Sequence, residues 1–172
     1  VIETWIDGLM VYGNNKVNFQ QEEGRLINRF NCSHIDCKDI IIENSGDNFR
    51  VIEALEGELI TRQLIARQES GPVLVSDPDK DYLKIVVKDR YNDKPPQAGF
   101  IKGFKLNKGA FASSVAHDSH NIICVGVKDD DIVRAVNAII DMKGGLSVVT
   151  DNELFTLQLN IGGIMSSDSC RE

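Results

Sequence analysis

Ile122-Ile123-Cys124-Val125-Gly126-Val127, running through Lys128-Asp129-Asp130-Asp131 into the spaced set Ile132, Val136, Ile139 and Ile140, is the stretch that decides the fold. A continuous apolar run of this length reads as a strand buried on both faces. The three aspartates put negative charge where a helix N-terminus favours it. The i, i+4, i+7, i+8 recurrence that follows is the stripe of an amphipathic helix. Gly144-Gly145 ends that helix, residues 146–150 form the next strand, Asp151-Asn152 turns the chain, and residues 154–159 return. Strand, helix, strand at this spacing predicts a βαβ unit with a right-handed crossover. The fold class is therefore α/β (α+β), a mixed β-sheet domain ending in a strand-helix-strand unit.

Working outward, residues 1–20 read as a short β-meander. Asp7-Gly8 is a favoured hairpin dipeptide and Gly13-Asn14-Asn15 makes a second turn. A meander this small is not stable alone and must pack on something else. Residues 21–48 are polar and poorly periodic, from Arg25-Leu26-Ile27 through Asn31-Cys32-Ser33-His34-Ile35-Asp36-Cys37. They read as a connecting arm with one short element at 40–42. From residue 49 the strand signal returns, at 49–52, 59–60, 73–75 and 83–87. Asp93-Lys94-Pro95-Pro96 is a loop, because proline lacks an N–H and constrains the residue before it. The expected organisation is thus strands of a small β-subdomain at 1–20, an arm at 21–48 and the main domain at 49–172.

Composition bounds the function. At 172 residues, with 42% hydrophobic and 26% charged, the chain suits one domain or one and a half. It is too short for a closed eightfold β/α barrel, which needs about 250 residues. Lys+Arg 19 against Asp+Glu 26 gives a net charge of −7. That sign repels phosphate backbones and anionic lipid, so neither nucleic acid nor a membrane is an expected partner. No apolar run reaches the length of about 18 residues that spans a bilayer. The start at Val1 shows no signal-peptide pattern, and four cysteines without a dense framework read as reduced cytoplasmic thiols.

The stretch best suited to chemistry is His117-Asp118-Ser119-His120-Asn121, a polar loop between two apolar runs. Its flanks place it at the end of a buried sheet, where ligand crevices form. Two imidazoles, a carboxylate, a hydroxyl and an amide supply donors, acceptors and a group that titrates near neutral pH. The competing reading is a self-satisfied loop, with Asp118 accepting backbone N–H bonds and Asn121 capping the turn. A metal held by His117, Asp118 and His120 is the weaker alternative, since His-x-x-His shares one face only on a helix and a catalytic zinc needs about three protein ligands. Cys32, His34 and Cys37 lack the spacing of a zinc knuckle and read as an exposed loop whose two cysteines are free thiols. Lysines at 102, 105 and 108 lack the context of a phosphate loop, and Asp77, Asp79 and Asp81 lack the glycine and distal glutamate of a calcium loop.

Taken together, Gly99-Phe100-Ile101-Lys102-Gly103-Phe104, Lys108-Gly109-Ala110-Phe111-Ala112-Ser113-Ser114-Val115-Ala116 and His117-Asp118-Ser119-His120-Asn121-Ile122-Ile123 resemble the C-terminal domain of bacterial and archaeal adenine deaminase, in the amidohydrolase superfamily. The likeness continues through Ala135-Val136-Asn137, Gly144-Gly145-Leu146 and Gly163-Ile164-Met165-Ser166. It departs at Leu159-Asn160-Ile161-Gly162, where the family usually carries prolines.

The resemblance implies hydrolysis of adenine to hypoxanthine and ammonia by a metal-activated hydroxide. It places the divalent metal centre (Mn or Fe) in an N-terminal barrel whose ligands this chain lacks. No catalytic residue and no metal ligand is therefore carried over, and no cofactor is expected in this chain. His117, Asp118, Ser119, His120 and Asn121 match the family motif in full. They are expected to lie near the substrate or at an interdomain or subunit contact. The implied partners are the barrel of the same enzyme, adenine as its substrate, and further copies in a homo-oligomer. The expected protein is a cytoplasmic part of a hydrolase of purine metabolism, inactive alone. The alternatives are a stand-alone purine-binding or regulatory domain derived from that enzyme, and an independent metallohydrolase built on the polar loop.

Overall fold

The computed structural model describes residues 1–19, 27–46, 48–68 and 70–168. Arg25 and Leu26 of the expected arm lie outside the described residues, as does Cys170. Strands β1 (Glu3–Ile6), β2 (Leu9–Gly13) and β3 (Lys16–Val17) form a three-stranded antiparallel sheet, the expected meander. Asp7 and Gly8 join β1 to β2 with φ of 49° and 77°, the left-handed pair that suits strand twist in a two-residue hairpin. Trp5, Ile6, Leu9 and Val17 remain more than half exposed, so this sheet has no core of its own.

The main sheet has eight strands: β4 (Asn48–Ala54), β5 (Thr61–Arg67), β6 (Leu83–Lys88), β7 (Gln97–Lys102), β8 (Ala110–Ser113), β9 (Ile122–Gly126), β10 (Gly145–Thr150) and β11 (Glu153–Gln158). Their order is β11-β10-β8-β9-β6-β7-β4-β5, antiparallel throughout except for the parallel pair β4–β7. The helix α1 (Asp129–Met142) joins β9 to β10. The strand-helix-strand unit is thus present, but split, because β8 sits between its two strands and pairs with both.

Several boundaries differ from the sequence reading for local reasons. The second strand of the first hairpin starts at Thr61 rather than at 59. Ala54 pairs with Thr61, which leaves Leu59 and Ile60 in the connecting loop, exposed. The element expected at 40–42 is a 3₁₀ turn at Cys37–Ile40, where the Asp36 N–H donates to Asp39 Oδ2 at 2.8 Å. Lys143, not a glycine, adopts the left-handed cap after α1 (φ 58°).

The core lies between α1 and one face of the sheet. Ile132, Val136 and Ile139 are fully buried against Ala110, Ala112, Cys124 and Val149. The small residues of β8 let the helix approach, and each large side chain contributes roughly 1.5–3 kcal/mol by burial. The arm closes this layer with Ile35 and Ile40.

Three cations are buried on or just beyond β6. Lys84 Nζ donates to Asp129 Oδ1 at 2.6 Å and to the Ile40 carbonyl at 3.1 Å. Lys88 Nζ donates to Asp93 Oδ1 and to the Lys94 carbonyl, each at 2.8 Å. The third, Arg90, belongs to the site below.

The hydrogen bond from Lys88 to Asp93, aided by the Ser33 N–H and hydroxyl, lowers the Asp93 carboxyl from 3.8 to about 2. A carboxyl more acidic in the folded state contributes stability above its unfolded value, and loses it as pH falls through the folded value. Urea midpoints measured between pH 5 and pH 2 should therefore drop below about pH 4. Asp93→Asn should flatten that part of the profile, and an unchanged profile would remove Asp93 as its cause.

Candidate functional site

The polar loop is the connection between β8 and β9. Its base is fixed by Ser114, which is fully buried. Ser114 Oγ accepts from the Gly145 N–H at 2.8 Å and donates to the Gly163 carbonyl at 2.5 Å. Ser113 Oγ accepts from the Val115 N–H at 2.9 Å. One tight turn is then closed by the His120 N–H on the Ala116 carbonyl at 2.7 Å. Within it Asp118 and His120 hold φ of 69° and 49°. Two non-glycine residues in the left-handed region cost of order 1–3 kcal/mol each unless their surroundings enforce them, and such strain gathers at functional sites.

The five sequence-predicted residues do not all face the same way. His117 and Asp118 stand at the tip, 95% and 90% exposed, with Nδ1 and Oδ1 3.1 Å apart. Ser119 is exposed beside them, whereas His120 and Asn121 turn inward and are half-buried. Asp118 takes part in none of the backbone bonds that would make the loop self-sufficient: the bonds that close it are Ser119 N–H to the His117 carbonyl and His120 N–H to the Ala116 carbonyl.

The inward side is chemically unusual. His120 Nδ1 and Asn121 Oδ1 are buried without a hydrogen-bond partner among the described residues. The remaining atoms of that kind are Arg90 Nε, Arg90 Nη1 and Asn28 Oδ1. The fold gathers them at one end of the sheet. Lys88 pairs with Ile122, so the chain leaving β6 through Arg90 runs beside the chain entering β9 through His120 and Asn121. Arg90 Nη2 donates to the Gly162 carbonyl at 2.7 Å and to the Tyr91 hydroxyl at 2.8 Å. Its guanidinium lies over the rings of Tyr91 (4.7 Å) and Phe30 (5.3 Å). Asn28 Nδ2 donates to the Lys143 carbonyl at 2.6 Å, next to the Gly144–Gly163 contact. Buried polar atoms normally find partners, so five without one at a single sheet end make this the part of the fold whose hydrogen bonding the described protein atoms leave incomplete.

Arg90, Ser114 and Asn28 were not singled out by the sequence. Arg90 sits in Lys88-Asp89-Arg90-Tyr91, which reads as ordinary surface charge. The signal that could have found such inward cations is the alternation of Lys84, Val86 and Lys88 along β6, which puts both lysines on the face of a buried valine.

The other candidates do structural work. His34 Nε2 pairs with Asp141 Oδ1 at 2.7 Å and Cys37 Sγ donates to Asp130 Oδ1 at 3.2 Å, so both tie the arm to α1. Loss of hydration on burial pushes the Cys32 and Cys37 thiols up to about 11, away from the thiolate form that binds metal. Asp77 accepts from the Lys80 N–H, and Asp81 accepts from the Gly103 and Lys105 N–H groups at 2.7 Å each, so two of the three spaced aspartates brace loops. Lys108 pairs with Asp151 at 2.7 Å. Among the described residues no group of three or more His, Cys, Asp or Glu side chains could hold a metal ion. Nor is any helix among them long and apolar enough to cross a membrane.

Residues 58–172 match the family described as adenine deaminase C-terminal domain. Over 97% of its length the chain is 47% identical to an adenine deaminase of Methanosarcina barkeri, of which it covers 32%. It is 36% identical over 98% of its length to an adenine deaminase of Salinibacter ruber, covering 31% of that protein. It is 35% identical over 99% of its length to one of Borreliella afzelii, again covering 31%. The chain therefore spans about a third of the length of the curated relatives it matches. With two thirds of its residues matched by the family and near-complete alignment to these relatives, the chain belongs to the adenine deaminase C-terminal domain family.

Proposed function

We propose that this chain is the C-terminal part of an adenine deaminase, which hydrolyses adenine to hypoxanthine and ammonia in purine metabolism. The observation that carries the reading is near-complete alignment of this chain to proteins of that name, of whose length it covers about a third. The parts at 1–20, 21–48 and 49–172 are respectively strands flanking the catalytic barrel, an arm and the C-terminal domain proper. The metal centre belongs to the barrel. The described residues do not fit one, since His34 is committed to Asp141 and the His117–Asp118 pair at the loop tip has no third ligand beside it among them. No metal step is assigned to them. The enzyme is cytoplasmic, and the net charge of −7 on this chain disfavours contact with nucleic acid.

In this reading His117, Asp118 and Ser119 are presented outward to the barrel mouth, while the His120 and Asn121 side chains turn inward beneath them. A rigid base at Ser114 suits such a loop, because placement errors of about 1 Å at a reacting centre cost up to ~100-fold in rate. The test has two arms. The purified 172-residue chain, supplied with Mn or Fe, should release no ammonia from adenine, and turnover would overturn the reading. In a chimera in which this chain replaces the matching third of the Methanosarcina barkeri enzyme, His117→Ala and Asp118→Ala should lower kcat/KM by about 10- to 100-fold. Both side chains are exposed, so His117→Ala should cost the fold no more than about 0.5 kcal/mol, and Asp118→Ala about 1 kcal/mol, because aspartate tolerates the left-handed backbone at 118 better than alanine does. Unchanged kcat/KM would remove the loop from the site. Heat on titrating the isolated chain with adenine would favour a stand-alone purine-binding domain instead.

A further inference from the structure

Among the described residues, the helix and the arm pack on one face of the eight-stranded sheet. The strand registers fix what lies on the other. Phe155, Val148, Phe111, Val125 and Ile85 stand opposite one another across β11, β10, β8, β9 and β6, and Leu157, Leu146, Ser113, Ile123 and Val87 form the parallel row. Neither row contains a charged residue over these five strands. Residues packed on this side bury Val125 and Leu83 with Leu106 and Val127, but the cover stops there. Phe155 and Leu157 are each 55% exposed, Phe111 38% and Val148 36%. A groove of about 210 Å³ runs over β8 and β9, bounded by Phe104, Phe111 and Val115. Contiguous apolar surface of this extent marks a place where another body sits.

We infer that this open sheet face is the seat of the remainder of the adenine deaminase polypeptide, the two thirds that the relatives carry outside the matched region. The inference rests on the reading above. Three observations choose this occupant. The relatives align to nearly all of this chain and extend well beyond it, so a body about twice as large is attached in them. Two adjacent rows without charge over five strands suit a permanent contact, since obligate interfaces resemble a domain core cut in half. Finally, Val115 and Ala116 line the groove and also begin the polar loop, so whatever seats on the face meets His117 and Asp118 at its rim. Docking on the apolar rows is what carries the loop to its place.

Hydroxyl-radical footprinting of the isolated chain and of the Methanosarcina barkeri chimera tests this. Oxidation of Phe111, Phe155 and Leu157 should fall by about fivefold in the chimera, the change from a half-exposed to a buried side chain. Leu59, on the β4–β5 loop, serves as the reference. Phe111→Lys should leave the circular dichroism of the isolated chain unchanged and return Phe155 in the chimera to its isolated rate. A chimera that deaminates adenine while the three residues oxidise as in the isolated chain overturns the inference and leaves the functional reading standing. An inactive chimera with the face protected does the reverse, and an inactive chimera with the face open overturns both. Protection that follows concentration and sedimentation of the isolated chain as a dimer assigns the face to a second copy, and also overturns the inference.

Discussion

Asp129→Ala should destabilise the fold by about 3 kcal/mol, enough to lower the thermal midpoint by roughly 10 °C in a chain of this size. Lys84 is 2% exposed, and its ammonium meets Asp129 Oδ1 at 2.6 Å. Removing the carboxylate leaves a buried cation with the Ile40 carbonyl as its remaining partner. Breaking a buried pair from one side typically costs about 3–5 kcal/mol. The lower end applies because Asp129 is 35% exposed and its loss admits water. The first turn of α1 also loses one of three charges that favour its dipole. Lys84→Met makes the opposite comparison. It removes the cation with the need for its partner, and replacing buried ions by packed apolar groups is often neutral, so a change within about 1 kcal/mol is expected. Urea titration of both variants decides the point. Equal losses would show that the pair itself, rather than an orphaned charge, carries the energy.

Gly145→Ala should be at least as damaging, by about 3–5 kcal/mol. Gly145 opens β10 at φ +146°, a conformation L side chains rarely adopt. A Cβ there would stand 2.1 Å from the Leu157 carbonyl oxygen of β11, which is backbone and cannot swing aside. The same residue donates its N–H to Ser114, so moving it disturbs the base of the polar loop. The expected result is a lower urea midpoint together with faster amide exchange in β11 and in residues 115–121. A midpoint within about 1 kcal/mol of the parent would show that β11 yields at little cost.

How much of this was legible in the sequence depended on periodicity. The helix at 129–142 and the strands beside it were readable, because burial of one face imposes a repeat on the residues themselves. Asp7-Gly8 was readable because its turn needs left-handed backbone. The insertion of β8 inside the strand-helix-strand unit was not, since strand order is set by pairing between distant segments that leaves no local mark. The polar loop was visible as a break between apolar runs, but its division into an outward His117–Asp118 tip and an inward His120–Asn121 base depends on two left-handed residues that composition does not reveal. Arg90 looked like surface charge, and only the fold carries it inward.

The single parallel seam, Val51 to Glu53 against Phe100 to Lys102, also orders events in time. Four antiparallel neighbours in the large sheet are also neighbours in sequence, so each can zip as a hairpin over a short closed loop. The β4–β5 hairpin is attached to the rest of the sheet only by that seam, and its partner β7 is synthesised later. On a ribosome, where the N-terminal side emerges first, this hairpin is made early and seated late. Until β7 arrives, Val51 and Phe49 wait without the Phe100 they finally bury against.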